Sequence, residues 1–416
     1  MNPVPSVSAT TVRQSVVSDL AQLDSRHADY AVQFVDRLLA SAQLSQTSDI
    51  HLQPTRQGLA VSWRQDGVLH ALGTFPSGSA ADVVTRLKVL ASLLTYRTEV
   101  PQEGRIRNHP LPDVQGTVDM RVSTFPTIHG ERAVVRLFAD AMQLDRIEQI
   151  GLPEAQAQKL RQLLTESTGA ILITGPAGSG KTTTAYACLR AITQSQPGRN
   201  VVTLEDPVEV PLDGVSQSQV NTSADFTFAT GLRSLLRQDP EVILVGEIRD
   251  LETTDIVLQA SLTGQLVIST FHAGSAATAI ARFQDMGIEP YRIRSGILAV
   301  LSQRLVRRLC SCARSVTDES ERLGLPVDNA KIAVGCEACG GAGYAGRMLL
   351  AELVDLSAST MGQAIANRAD RSQLQEVISG SNVNTLSQQA VDAVRRGMTS
   401  PQEIRRVFGF GDGLWS

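Results

Sequence analysis

A glycine-rich stretch near the middle of the chain restricts the possible folds more than any other feature. Residues 175–182 read Gly-Pro-Ala-Gly-Ser-Gly-Lys-Thr, which matches the pattern G-x-x-x-x-G-K-[ST]. An apolar run, 170–174, precedes it, and a segment that can be helical begins at Lys181, so the context is strand, loop and helix. Glycines let backbone N–H groups converge on phosphate oxygens, and a helix N-terminus favours negative charge. The sequence therefore predicts a phosphate-binding loop in an α/β fold.

The loop residues are expected to have distinct contacts with a nucleotide. Lys181 is predicted to reach the β- and γ-phosphates of ATP or GTP, and Thr182 to ligate Mg²⁺. A chance glycine loop is the alternative interpretation. The predicted nucleotide-binding residues are Gly175, Pro176, Ala177, Gly178, Ser179, Gly180, Lys181, Thr182 and Thr183.

Composition narrows the class of protein. With 416 residues the chain is long for one core, so two or three domains are expected. A net charge of −4 and an aromatic content of 4% do not favour nucleic-acid binding, and no nucleic-acid partner is expected. No apolar run is long enough to span a membrane, and the N-terminus does not resemble a secretory signal. The five cysteines are clustered and not spread as in a disulfide framework, which favours a reducing cytoplasm.

Local patterns divide the chain into segments. The predicted domains are a flexible lead at 1–25, a mixed α+β domain at 26–140, a linker at 141–150, a nucleotide-binding α/β domain at 151–309, a cysteine-rich module at 310–346 and a helical C-terminal region at 347–416. In the second segment, a helix is predicted over 30–44, and two short strands are joined by Gln65-Asp66-Gly67, whose Asp-Gly pair is a hairpin signal.

Apolar strand candidates alternate with helical stretches in the nucleotide-binding domain, which is the pattern of a mainly parallel sheet. The candidate strands are 170–174, 201–204, 242–245 and 266–270. Such sheets bind ligands at the carboxyl ends of their strands. The acidic and polar motifs of the chain fall at those ends.

Two carboxylates at these strand ends are candidate catalytic groups. Glu247 follows the buried run from Val242 and is predicted to hold Mg²⁺ through water. Glu205 ends the strand from Val201 and is the candidate for orienting the attacking water. The two glutamates can exchange these roles on sequence alone. Solvated acidic turns are the alternative for both.

His272 follows a third strand, where it is predicted to sense hydrolysis or to bridge to the acids. A histidine satisfied within the core is the alternative.

Four of the five cysteines form two close pairs. Cys310-Ser-Cys312 and Cys336-Glu-Ala-Cys339 are predicted to bind a structural Zn²⁺, although the first pair is one residue shorter than the common C-x₂₋₄-C spacing. Reduced structural thiols are the alternative. Cys188 is interpreted as a small buried residue.

These motifs, in this order, resemble the secretion and pilus motor ATPases, which power type II secretion and type IV pilus assembly. Residues 201–209 are similar to the acidic Asp box of that family, 242–250 to its Walker B segment with Glu in place of Asp, and 269–273 to its His box. The resemblance spans roughly 26–410. It includes the segments Ser48-Asp-Ile-His-Leu-Gln-Pro54, Arg86-Leu-Lys-Val-Leu, Pro101-Gln-Glu-Gly-Arg105, Asp119-Met-Arg-Val-Ser-Thr-Phe-Pro126 and Gly130-Glu-Arg-Ala-Val-Val-Arg136.

The resemblance implies a homohexameric ATPase with a PAS-like N-terminal domain and a RecA-like C-terminal domain. It implies that Arg105 and Arg121 reach the nucleotide from the first domain, and Arg233 and Arg237 from the second. Since the last two are four residues apart, one helical face is expected to aim both at a shared anion. A surface ion pair is the alternative for each arginine.

The resemblance also implies association with platform proteins of the inner membrane. Family members that assemble secretion machinery usually begin with further domains, so that part is expected to be absent here or supplied elsewhere. The sequence after His272, Ala-Gly-Ser, lacks the polar neighbours usual in the His box.

Three other functions compete with an assembly motor. A retraction motor is the nearest, and the cysteine module argues against it. A RecA-like nucleic-acid translocase would need a basic groove with aromatic side chains. A nucleotide-gated scaffold would bind without turnover, which the lysine and both acids do not favour.

Overall fold

The computed structural model describes residues 9–76, 80–114, 117–137 and 146–410, and these form two units. The N-terminal unit combines 1–140 with 309–314 and 333–346. The C-terminal unit combines 141–308, 315–332 and 347–416. Of the predicted linker, 141–145 lies outside the described residues.

The elements up to residue 137 are three helices and six strands within the described ranges. The helices are α1 (Ala9–Ala21), α2 (Tyr30–Leu44) and α3 (Ala80–Leu90). The strands are β1 (Asp49–Thr55), β2 (Gly58–Gln65), β3 (Val68–Phe75), β4 (Gln102–Pro110), β5 (Thr117–Thr127) and β6 (Gly130–Leu137).

The remaining elements are a mixture of helices and strands as far as β15, and the α and β elements described after β15 are all helices. The helices are α4 (Glu154–Leu163), α5 (Lys181–Ser195), α6 (Phe228–Leu235), α7 (Leu251–Leu262), α8 (Ala276–Asp285), α9 (Pro290–Gly296), α10 (Ser359–Ala366), α11 (Arg371–Ser379), α12 (Leu386–Arg395) and α13 (Pro401–Phe408). The strands are β7 (Gly169–Thr174), β8 (Val201–Glu205), β9 (Ser216–Gln219), β10 (Val242–Ile248), β11 (Leu266–Phe271), β12 (Ile297–Leu309), β13 (Arg314–Ser315), β14 (Lys331–Ile332) and β15 (Tyr344–Asp355).

The N-terminal unit is built on a six-stranded antiparallel sheet in the order β3-β2-β1-β6-β5-β4. Successive side chains of each strand point to opposite faces of the sheet. On one face Ile50, Leu52 and Trp63 are buried in the core with α2 and α3. The predicted hairpin is confirmed: Asp66 and Gly67 join β2 to β3 with φ of 48° and 78°. Two successive positive φ angles are what a tight hairpin turn requires.

The predicted flexible lead over 1–25 differs from the structure at residues 9–21, whereas residues 1–8 lie outside the described residues. Residues 9–21 form α1, and Val16 and Leu20, four apart, are buried in the same core as α2. Two buried residues on one face hold this helix against the core, but they are too few to give the apolar periodicity that predicts a helix from sequence.

The C-terminal unit is built on a seven-stranded sheet in the order β15-β12-β7-β11-β10-β8-β9. The pairs from β12 across to β9 are parallel. Strands β7, β8 and β11 are buried along their whole lengths, as expected where helices cover both faces of a parallel sheet. The predicted α/β class is confirmed by this sheet.

The start of the predicted helical C-terminal region also differs. Residues 347–355 belong to β15, which lies beside β12 at the edge of the sheet, and the helices begin only at Ser359.

Within the described residues, no helix has the length and apolarity needed to cross a bilayer.

A buried ion pair connects α3 to the β5–β6 hairpin in the N-terminal unit. Lys88 is 0% exposed, and its Nζ donates to both carboxylate oxygens of Glu131 at 2.9 Å and to the Arg97 carbonyl at 2.7 Å. A buried charge that loses its partner is strongly destabilising, whereas replacing both by apolar groups is often neutral.

We therefore expect Lys88→Met to destabilise this unit by about 3–5 kcal/mol, because Glu131 is left buried and unpaired. Urea unfolding followed by the fluorescence of buried Trp63, in a Trp415→Phe background, measures the change. The double variant Lys88→Met/Glu131→Leu should recover most of the loss. Equal loss in the single and double variants would show that the pair does not stabilise the unit.

Candidate functional site

The phosphate-binding loop connects β7 to α5, as the sequence predicts. Gly178 and Gly180 have φ of 72° and 87°, which favour glycine over other residues. At Gly175, an added Cβ would lie 2.6 Å from the Gln303 carbonyl oxygen, so the loop packs against β12 there. Pro176, Ala177, Gly178 and Thr182 are exposed, so that a ligand can reach this side of the loop. The glycine positions fit a phosphate cradle.

Lys181, the first residue of α5, is folded onto the loop. Its Nζ donates to the carbonyls of Gly175 and Pro176, both at 3.0 Å, and the residue is 8% exposed. Burial lowers the pKa of Lys181, while the charge of Glu247 acts in the opposite direction. The ammonium group is therefore held at the loop by acceptors that phosphate oxygens can replace.

Glu247 and His272 come together at the ends of β10 and β11. His272 Nε2 lies 3.3 Å from Glu247 Oε2, and the Glu247 side chain is 15% exposed. Arg249 pairs with the other oxygen of Glu247 and lies 3.9 Å from Asp206. The geometry agrees with the predicted bridge from His272 to an acid, and that acid is Glu247.

The Glu205 carboxylate is buried and hydrogen-bonded to neighbouring side chains. It is 3% exposed, and its carboxylate accepts hydrogen bonds from Tyr186 Oη at 2.5 Å, Thr203 Oγ1 at 2.6 Å and Gln217 Nε2 at 3.2 Å. A carboxylate accepts about four hydrogen bonds, so most of its capacity is used here. The network connects β8 to α5 and β9, and this favours Glu247 over Glu205 as the acid that acts on water.

Arg105 and Arg121 are directly opposite each other on β4 and β5 of the N-terminal unit. Arg105 lies 3.5 Å from Asp119, and Arg121 pairs with Glu103. Contact between these arginines and a nucleotide stays a prediction.

The structure corrects the predicted geometry of Arg233 and Arg237. Helix α6 ends at Leu235, so Arg237 lies beyond it, and its Nη1 donates back to the Arg233 carbonyl at 2.8 Å. Arg233 instead pairs with Glu252 at 2.7 Å. Arg237 thus satisfies a carbonyl at the helix end, and contact of the two arginines with a shared anion stays a prediction.

The four predicted zinc ligands meet in one cluster of the N-terminal unit, next to α1. Their Sγ atoms lie 3.8 Å apart for Cys310–Cys336, 3.9 Å for Cys312–Cys339 and 3.8 Å for Cys336–Cys339. A tetrahedral zinc with Zn–S bonds of about 2.3 Å places sulfurs about 3.8 Å apart. The cluster therefore fits one zinc ion, and the short C-x-C spacing does not prevent this.

Backbone groups support the cluster. Cys339 Sγ accepts from the N–H groups of Cys336 at 3.2 Å and Gly343 at 3.1 Å. Burial raises the pKa of Cys339, but these hydrogen bonds outweigh it and bring the pKa to about 7. Cys188 is separate from the cluster and fully buried in α5, in agreement with its predicted structural role.

Two residues that contact the site were missed in the sequence analysis. Tyr186 binds Glu205 from α5, and Gln303 on β12 donates to the Ser179 carbonyl. Neither belongs to a motif of its own, since each is placed by packing of distant segments. Only the position of Tyr186 one turn after Lys181 gave a local signal.

Comparison with known proteins was made on sequence and on structure. The family model described as Type II/IV secretion system protein matches residues 24–406. The type II secretion system protein E of Pectobacterium carotovorum subsp. carotovorum is 42% identical over 383 residues, which cover 90% of this chain and 75% of that protein. The type IV pilus assembly ATPase PilB of Thermus thermophilus is 38% identical over 385 residues, which cover 90% of this chain but only 42% of that protein.

A solved structure of the pilus retraction motor PilT with bound ADP is similar in fold. The TM-score is 0.62 at 23% sequence identity, with 89% of this chain and 96% of that chain covered. This likeness supports the fold alone.

The hydrogen bond from Tyr186 to Glu205 gives a stability prediction. Tyr186→Phe leaves a buried carboxylate short of one donor, and we expect a loss of about 1–3 kcal/mol. Native-state hydrogen exchange of the amides in α5 and β8 measures it. Tyr291→Phe makes the same chemical change at a side chain that is 65% exposed and should have little effect. Equal protection in wild type and Tyr186→Phe would contradict the assigned role.

Proposed function

Because the chain belongs to the type II/IV secretion system protein family, we propose that it is an ATPase that powers assembly of a type II secretion pseudopilus or a type IV pilus. The observation that carries the proposal is the meeting of three motifs at one edge of a parallel sheet. The phosphate-binding loop, Glu247 and His272 lie at the carboxyl ends of the neighbouring strands β7, β10 and β11. The relatives at about 40% identity are named for secretion and pilus assembly, which favours assembly over retraction.

In this proposal, the residues of the loop make different contacts with the nucleotide and its metal ion. Backbone N–H groups of 175–182 other than Pro176, which has none, would surround the phosphates. Lys181 would move from the loop carbonyls to phosphate oxygens, and Thr182 and Glu247 would hold Mg²⁺. Bound Mg²⁺ supplies the neutralisation of charge that phosphoryl transfer needs.

Glu247 also orients the attacking water in this proposal, and His272 holds its second carboxylate oxygen. Glu205 keeps β8 in place beside it through Tyr186. Arginine side chains supply positive charge to the transferred phosphoryl group in this proposal, an effect that reaches about 10³–10⁵ in rate for arginine fingers.

The assembly and its surroundings belong to the same proposal. The chain acts as a homohexamer on the cytoplasmic side of the inner membrane, and it passes motion to platform proteins there. The cysteine cluster holds a structural Zn²⁺, which the separations between its sulfurs support.

Lys181→Ala tests the ATPase directly. We expect phosphate release to fall to background, because no other side chain of the loop carries a positive charge. Steady-state phosphate release measures it, and circular dichroism checks the fold. Lys159→Ala removes a partly exposed lysine that pairs with Asp355 in the same unit, and it should keep full activity. Unchanged turnover in Lys181→Ala would refute the proposal.

Metal analysis of the purified chain tests the zinc site. We expect about one zinc per chain, lost in Cys312→Ser because three thiolates leave the fourth position of the tetrahedron open. Cys188→Ala removes a thiol outside the cluster and should keep the metal. A wild-type chain without zinc, or equal loss in both variants, would overturn the assignment.

A further inference from the structure

Gln303 is completely buried on β12, and its carboxamide contacts the phosphate-binding loop at one end and α5 at the other. Its Nε2 donates to the Ser179 carbonyl at 2.7 Å, and its Oε1 accepts from Thr184 Oγ1 at 3.1 Å. The Ser179 carbonyl fixes the orientation of the amide, since the flipped amide would place two acceptors against each other there, whereas the Thr184 hydroxyl can donate or accept. The Gln303 side chain therefore presents a donor to the loop.

The position of this donor has a consequence for the loop. The carbonyl of Ser179 and the N–H of Gly180 belong to one planar trans peptide, in which they point in opposite directions. A hydrogen bond that draws the carbonyl towards β12 therefore turns the Gly180 N–H away from β12. Gly180 has φ of 87°, which lets the chain adopt this peptide orientation without strain.

The backbone of β12 also limits the loop at Gly175. An added Cβ there would lie 2.6 Å from the Gln303 carbonyl oxygen, and at Gly180 it would lie 3.3 Å from Nε2. Glycines at both positions let the loop rest on Gln303. One residue of β12 thus contacts the loop near its start and near its end.

We propose that Gln303 is a positioning residue of the phosphate-binding loop, which aims the Gly180 N–H at the phosphates of the nucleotide. The inference rests on the proposed nucleotide-binding function and adds to it a residue outside the loop. Gln303 does not touch the ligand, and it acts through the Ser179–Gly180 peptide.

A matched control is present in the same unit. Gln389 on α12 is also buried, donates to the Asn384 carbonyl at 2.7 Å and accepts from the Ala351 N–H at 3.1 Å. Its environment resembles that of Gln303 in burial and hydrogen bonding, but it contacts no residue of the loop. A purely structural role would give both glutamines the same phenotype.

The experiment compares Gln303→Leu with Gln389→Leu in the full chain. Affinity for a fluorescent ATP analogue, KM and kcat for ATP, and melting temperature are measured for each. We expect both variants to melt earlier, and only Gln303→Leu to bind the analogue and ATP more weakly, by about tenfold, because one N–H of the cradle loses its orientation. Thr184→Val should weaken binding in the same direction, and Thr184→Ser should restore it.

The outcomes separate this inference from the proposed function. Wild-type affinity in Gln303→Leu, or equal weakening in Gln389→Leu, overturns the role of Gln303. A wild-type chain that binds the analogue but releases no phosphate overturns the ATPase proposal alone. If Gln303→Leu does not fold, Gln303→Met keeps the length of the side chain without a donor, and the same affinity criterion applies to it.

Discussion

The candidate site depends on the parallel hydrogen bonding of four neighbouring strands. In the sheet, β7 pairs with β11, β11 with β10 and β10 with β8, all in parallel. Their carboxyl ends therefore lie along one edge. The loop from Gly175 and His272 follow β7 and β11 there, while Glu247 and Glu205 belong to the last residues of β10 and β8. Segments separated by up to about a hundred residues meet there because backbone pairing, not side-chain affinity, sets their positions.

The charged groups of the candidate site have partners within the protein. Lys181 is bonded to two loop carbonyls, and Glu247 lies against His272 and Arg249. A nucleotide with its metal would exchange these contacts for its own phosphates and cation.

The sequence predicted those parts of the fold that depend on backbone preferences and on the apolar pattern of neighbouring residues. Asp66-Gly67 fixes a hairpin because both residues tolerate positive φ, and the buried parallel strands are continuous apolar runs. Helix α1 and strand β15 were not predicted from the sequence. Both form because of the elements they pack against: α1 buries only two of its described residues in the core, and β15 pairs with β12 at the edge of the sheet. The helix end before Arg237 is similarly a local event that spacing alone does not reveal. Tyr186 and Gln303 lie beyond sequence reasoning for the same reason: their partners come from other elements.

A structure of the chain with Mg²⁺ and a non-hydrolysable ATP analogue tests the central claim most directly. The account predicts that the Lys181 Nζ leaves the carbonyls of Gly175 and Pro176 for phosphate oxygens, with the metal between Thr182 and Glu247. It also predicts that the Ser179 carbonyl stays bonded to Gln303. A nucleotide bound elsewhere, with Lys181 still on the loop carbonyls, would contradict the account.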